Sequence, residues 1–140
     1  MNEKEKNTLG WQEWVALPKI GLSALLAKTD TGAATSALHA FNIQPFGSES
    51  NPKVRFGINP IDENKSYAIY CSANVTDMRE VTSSNGISEI RYVIKTFLKI
   101  GDEAPKEIEV TLTNRENMKY RMILGRSALE GFNINAQESF

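Results

Sequence analysis

One cysteine and one histidine are all that this 140-residue chain holds of the two side chains most used for disulfides and zinc sites. A lone Cys71 excludes an internal disulfide. A catalytic zinc takes about three protein ligands from His, Cys, Asp or Glu and keeps one position open. The chain has no His-Glu-x-x-His, and no glycine-rich loop ending in Gly-Lys-Ser or Gly-Lys-Thr to hold phosphates. No metal and no cofactor are therefore expected. His39 reads as a half-buried strand residue near the Asp-Thr-Gly turn described below. Cys71, at the end of the apolar run Tyr67-Ala68-Ile69-Tyr70-Cys71, reads as a core thiol, because reactive thiolates need electropositive, accessible surroundings. An excess of charge of one sign is missing too. Sixteen Lys and Arg against 17 Asp and Glu leave a formal charge of -1, which gives neither the basic surplus of a nucleic-acid binder nor a membrane-surface patch. The first seven residues lack the apolar stretch of a signal peptide. The chain thus reads as cytoplasmic, although one whose leader had been removed would look the same.

What is present is β structure. Hydrophobic residues make up 41% of the chain and charged residues 24%, and the length is near the commonest domain size, enough to bury a sizeable core. We expect a flexible start over residues 1–8 and one domain over residues 9–140. Period-two alternation marks Val54, Phe56 and Ile58, then Ile108, Val110 and Leu112, and also Phe41 and Ile43. Residues 11–17 and 22–28 flank Pro18-Lys19-Ile20-Gly21 and read as a hairpin. Residues 90–100 form a long β-rich run, which residues 101–105 reverse into a strand over 106–113. Helix is expected only after Gly125, through Glu130 and closed by Gly131, with a further turn near residues 114–118. Trp11, Trp14, Tyr92 and Phe97 are expected in the core.

The second arm of that hairpin delivers Asp30-Thr31-Gly32-Ala33. An isolated aspartate, with an ordinary pKa of about 3.9, is ionised but weakly basic at neutral pH. Two carboxylates roughly 3 Å apart cannot both ionise, so they share one proton and offer an acid and a base together, which suits addition of water to an amide. Asp62, Asp77 and Asp102 are not followed by Thr-Gly or Ser-Gly. A dyad must then come from a two-fold dimer. A bare Asp-Thr-Gly is also a good turn sequence, so its context has to carry the case.

That context is Met122-Ile123-Leu124-Gly125-Arg126-Ser127-Ala128-Leu129, a short apolar strand that breaks at glycine into a turn of helix. With the apolar strand before Asp30 and the run from Ala27 to Ala40, this pattern resembles the retropepsin-like aspartic proteases over roughly residues 10–135. It is closest to a bacterial family often labelled "ATP-dependent zinc protease" and linked with ATP-grasp glutamate ligases. The resemblance implies a closed all-β acid-protease barrel of six or more strands, with one short C-terminal helix. It implies Asp30 as the catalytic carboxylate, Thr31 bonding across a dimer axis, and Gly32 and Ala33 letting backbone approach the carboxylates. Gly125 and Arg126 would brace the loop. Retroviral members usually carry an acid where Ala34 stands, and often Asp or Asn where Ser127 stands. These departures leave the partner of Arg126 and the peptide-binding subsite open.

Between Arg79 and Tyr92 lies a polar hairpin tip, in which Ser84, Asn85 and Gly86 are the candidate flap residues. The leading expectation is an aspartic endopeptidase acting on a peptide or protein substrate as a homodimer, with a functional link to glutamate ligases. The alternatives are a non-catalytic binding or assembly module with the same fold, separable by solution mass, and a zinc-dependent protease, separable by metal analysis.

Overall fold

The computed structural model describes residues 8–59, 67–82, 85–115 and 119–135. Alternation of apolar and polar side chains builds most of it as strand. The strands are β1 (Thr8–Leu9), β2 (Gln12–Leu17), β3 (Leu22–Thr29), β4 (Ser36–His39), β5 (Phe41–Ser48), β6 (Asn51–Ile58), β7 (Ile69–Thr82), β8 (Ser88–Ile100), β9 (Lys106–Thr113), β10 (Met122–Leu124) and β11 (Asn133–Ile134). One helical turn, α1 (Arg126–Leu129), follows β10. No helix among the described residues is long and apolar enough to cross a membrane.

Six strands close a barrel in the order β2-β3-β10-β4-β9-β8, and β2 pairs back onto β8 through Val15 opposite Ile100. Closure leaves these strands without an open edge. The expected all-β barrel with one short helix is therefore the observed architecture. Inside it pack Val15, Leu17, Leu25, Leu38, Ile94, Leu98, Val110, Leu112, Met122 and Leu124, each stabilising by about 1.5–3 kcal/mol relative to an exposed side chain.

The hairpin expected around Pro18-Lys19-Ile20-Gly21 forms, with a 3₁₀ turn over Pro18–Ile20 and Gly21 at φ +83°. The reversal between β8 and β9 also forms. Beyond the barrel, β7, β6 and β5 extend the sheet from β8. The first half of β7 pairs with β6 and the second half with β8, the partners changing near an irregularity between Val75 and Asp77. Val54, Phe56 and Ile58 of β6 join the same core. The turn expected near residues 114–118 and the flexible start fall largely outside the described residues, as does Ser84.

Trp14 departs from the core expectation. It is 53% exposed, because its neighbours Glu13 and Val15, together with Leu17, take the inward positions of β2. Cys71 is half-buried, its thiol donating to the Ile20 carbonyl at 3.2 Å. His39 is fully buried on β4.

Candidate functional site

Strands β3 and β4 do not touch each other as neighbours; β10 lies between them. It runs parallel to β3, with Leu124 opposite Thr29, and antiparallel to β4, with Ile123 opposite Ala37. The chain must therefore loop over the end of β10 to pass from β3 to β4, and residues 30–35 are that loop. Its first residue is pinned by the inserted strand, since the Asp30 N–H donates to the Leu124 carbonyl at 2.9 Å. The turn then closes on itself: Gly32 N–H donates to Asp30 Oδ1 at 2.9 Å and Ala33 N–H to the Asp30 carbonyl at 3.2 Å. Behind it, the Thr29 hydroxyl bonds the carbonyls of Gly10 and Trp11 at 3.0 and 3.1 Å.

The Gly-Arg segment holds the loop from the other side. Arg126 N–H donates to the Ala33 carbonyl at 2.7 Å and Ser127 N–H to the Ala34 carbonyl at 3.2 Å. The Arg126 guanidinium donates through Nη1 to the Thr31 carbonyl at 3.0 Å. That carbonyl occupies the acceptor role left open by the exposed Ala34. Gly125 N–H donates to the buried Ser36 hydroxyl at 3.1 Å. A Cβ on Gly125 would lie 2.6–2.9 Å from backbone atoms of Thr35, so only glycine allows this approach. A Cβ on Gly32 would sit 3.1 Å from Asp30 Oδ1.

Asp30 is thereby held half-buried on a rigid turn. One of its oxygens receives the Gly32 N–H, while Oδ2 and the exposed Thr31 hydroxyl have no hydrogen-bond partner among the described residues. The structure thus brings Asp30, Thr31, Gly32, Ala33, Gly125 and Arg126 together. Asn85 and Gly86, the latter at φ +83°, lie at the far end of the β7–β8 hairpin. This hairpin carries Met78, Ile87 and Ile90 exposed, Ile87 at 66%. Its base reaches the loop, where Arg79 donates to the Thr35 hydroxyl at 3.2 Å.

A cleft of about 350 Å³ opens beside the loop, bounded by Ala33, Thr35, Ile123, Thr111, Arg91 and Arg115 among others. Arg91 is held by Glu89 at 2.6 Å. Arg115 donates its N–H to His39 Nδ1 at 2.8 Å and its Nε to the Tyr120 carbonyl at 3.2 Å. Burial draws the Arg115 guanidinium below its ordinary pKa, the like charge of Arg91 adds to this, and the Asp30 carboxylate opposes it. Sequence reasoning gave neither Arg115 nor Arg91 a role. The usable signal was a cation two residues after the end of β9, the strand that pairs with β4.

The residues present do not fit a zinc ion. His39 Nδ1 is taken by the Arg115 N–H and the Cys71 thiol points to the Ile20 carbonyl. Among the described residues no three His, Cys, Asp or Glu side chains group as metal ligands.

A family model described as retropepsin-like aspartic endopeptidase RimB matches residues 8–136. The chain belongs to the RimB-like family. Relatives named "probable alpha-L-glutamate ligase" are 44% identical over 136 residues in Shewanella pealeana and 45% identical over 126 residues in Parasynechococcus marenigrum. These matches take in 96% and 90% of this chain but 30% and 27% of the relatives. This RimB-like chain therefore spans about three-tenths of the length of the curated relatives it matches. A crystal structure of a protein of unknown function from Legionella pneumophila is 30% identical, with a TM-score of 0.74 and 95% of each chain covered.

Proposed function

We propose that this chain is the half-site of an aspartic peptidase, and that two copies assemble the working centre by bringing their Asp30 side chains face to face. The supporting observation is the loop itself: a carboxylate fixed by the Gly32 N–H, with its other oxygen uncommitted, beside an exposed threonine hydroxyl, neither having a hydrogen-bond partner among the described residues. In the pair, the two carboxylates share one proton. The ionised one takes a proton from a water molecule as its oxygen adds to the amide carbon. The protonated one gives its proton to the carbonyl oxygen. As the tetrahedral diol collapses, the acid formed in the first step protonates the leaving nitrogen and the other carboxylate takes back a hydroxyl proton. Thr31 bonds across the axis, Arg126 keeps the loop closed through the Thr31 carbonyl, and the β7–β8 hairpin acts as the flap that excludes water.

The relatives' names support one substrate class. Proteins named for ligating L-glutamate carry a segment like this one, and a peptidase associated with such a ligase would act on peptides of α-linked glutamate. The Arg91 and Arg115 charges in the adjoining cleft favour such a substrate.

Asp30→Asn keeps the shape and removes the basicity. It is expected to lower hydrolysis of an oligo-α-glutamate peptide by at least about 10²-fold, the scale of general acid–base catalysis, with thermal unfolding unchanged. Cleavage by Asp30→Asn at the wild-type rate would discard the mechanism.

A further inference from the structure

Arg79 of β7 and Arg91 of β8 stand directly opposite each other in the hairpin register. Residues so paired project from the same face of the sheet, and like charges there cost stability. Arg115 adds a third cation, close enough that Arg91 disfavours its charged form. Nearby carboxylates offset part of the cost. Asp77 and Glu109 hold Arg79 at 3.0 and 3.5 Å, and Glu89 holds Arg91 through Nε. What they leave over is specific. The terminal Nη groups of Arg91 and Arg115 have no hydrogen-bond partner among the described residues, and both side chains line the cleft beside Ala33 and Ile123.

Two guanidinium groups with uncommitted ends, lining one small cleft against their mutual repulsion, suit a planar anion. A carboxylate matches that fork through paired N–H donors. The cleft floor belongs to the loop that fixes Asp30, because Ala33 N–H bonds the Asp30 carbonyl and Ile123 precedes the residue that accepts the Asp30 N–H. A carboxylate bound there lies beside the loop that carries Asp30, with Thr111, Thr113 and Asn114 as polar wall and Ala33, Ala37 and Ile123 beside them to take the methylenes of its side chain.

We infer that Arg91 and Arg115 are the specificity-determining pair of this site, receiving the side-chain carboxylate of a glutamate flanking the scissile bond. The inference rests on the peptidase reading only for the position of the scissile bond; the carboxylate receptor stands without it. Arg115 also ties the segment after β9 to His39 and Tyr120, whereas the Arg91 side chain is 34% exposed and bonds Glu89 alone among the described residues, so Arg91 supplies the cleaner substitution.

The test uses the whole chain and two probes, hexa-α-glutamate and hexaglutamine of the same linkage. Arg91→Gln and Arg115→Gln are each expected to lower the glutamate-over-glutamine ratio of kcat/KM by at least about tenfold, the cost of one charge-assisted pair. The loss should fall on KM for the glutamate peptide. Calorimetric binding of hexa-α-glutamate to Asp30→Asn keeps the two readings apart. Arg91-dependent binding without any cleavage by the wild type supports the receptor and overturns the peptidase. Cleavage whose preference survives in both arginine variants overturns the receptor and leaves the peptidase. Absence of binding to folded Asp30→Asn also overturns the receptor.

Discussion

At Glu13 a carboxyl side chain lies inside the barrel wall, 7% exposed, with Oε2 accepting the Gly10 N–H at 3.0 Å. Burial raises its pKa above the ordinary 4.5, against the smaller lowering effect of the Gly10 bond. A folded-state pKa above the unfolded value means that the folded chain holds this proton more tightly. Below pH 4.5 the carboxyl is protonated in both states and costs nothing; as pH rises through the raised folded value, ionising it in the wall removes stability. Glu13→Gln keeps an acceptor for Gly10 and cannot ionise. Urea unfolding at a series of pH values should therefore show the wild type losing stability relative to Glu13→Gln as pH climbs from 4.5 upward, and parallel curves for the two proteins would refute the assignment. The same strand shows what residue-level pattern hides. Trp14 and Glu13 would each be assigned by type to the opposite side of the wall from the one they occupy. Alternation fixes which side is inward only when the whole strand is phased by Val15 and Leu17, and a Glu with a backbone donor can occupy an inward site. Asp30, by contrast, was legible because its neighbours Thr31 and Gly32 form a turn by their own chemistry.

At the scale of elements, the insertion of β10 between β3 and β4 makes the site depend on a segment ninety residues away. The Gly125 N–H bonded to buried Ser36 and the Thr35 backbone packed on the Gly125 Cα leave no room for a side chain. Gly125→Ala forces a Cβ to within 3 Å of that backbone, which has no flexible end to yield. Overpacking of this kind costs about 1–3 kcal/mol. The substitution should lower the denaturation midpoint and, since Arg126 bonds Ala33 and Thr31 from the next position, reduce any peptidase activity by more than the loss of folded protein explains. A Gly125→Ala protein with wild-type stability and activity would contradict the brace. Individual strands were readable locally, β6 and β9 from alternation and β8 as a long β-rich run. Their partners were not: the pairing of β10 with β3, and the change of β7 from β6 to β8, depend on long-range packing that local periodicity does not encode. Arg91 escaped notice for the same reason, since its cleft exists only once β8, β9 and the loop are brought together.

At the scale of the whole molecule, one chain holds one Asp-Thr-Gly, so the proposed chemistry belongs to a pair of chains. This has a consequence that no single-chain mechanism shares. If each centre takes one Asp30 from each copy, then wild-type chains mixed with Asp30→Asn chains at equal amounts and random exchange give one all-wild-type pair in about four, and mixed pairs lack the second acid. Activity per wild-type chain should therefore fall to about half at equal mixing and continue toward zero as the variant is added in excess, with total folded protein unchanged. Dilution of wild type alone should lower specific activity once the chains separate, because the lost partner takes half of the centre with it. Activity that stays strictly proportional to wild-type chain under both treatments would assign the chemistry to a solitary chain. The shared-proton mechanism would then have to be abandoned even if Asp30→Asn is inactive, since a lone ionised aspartate has no second carboxyl to protonate the carbonyl oxygen.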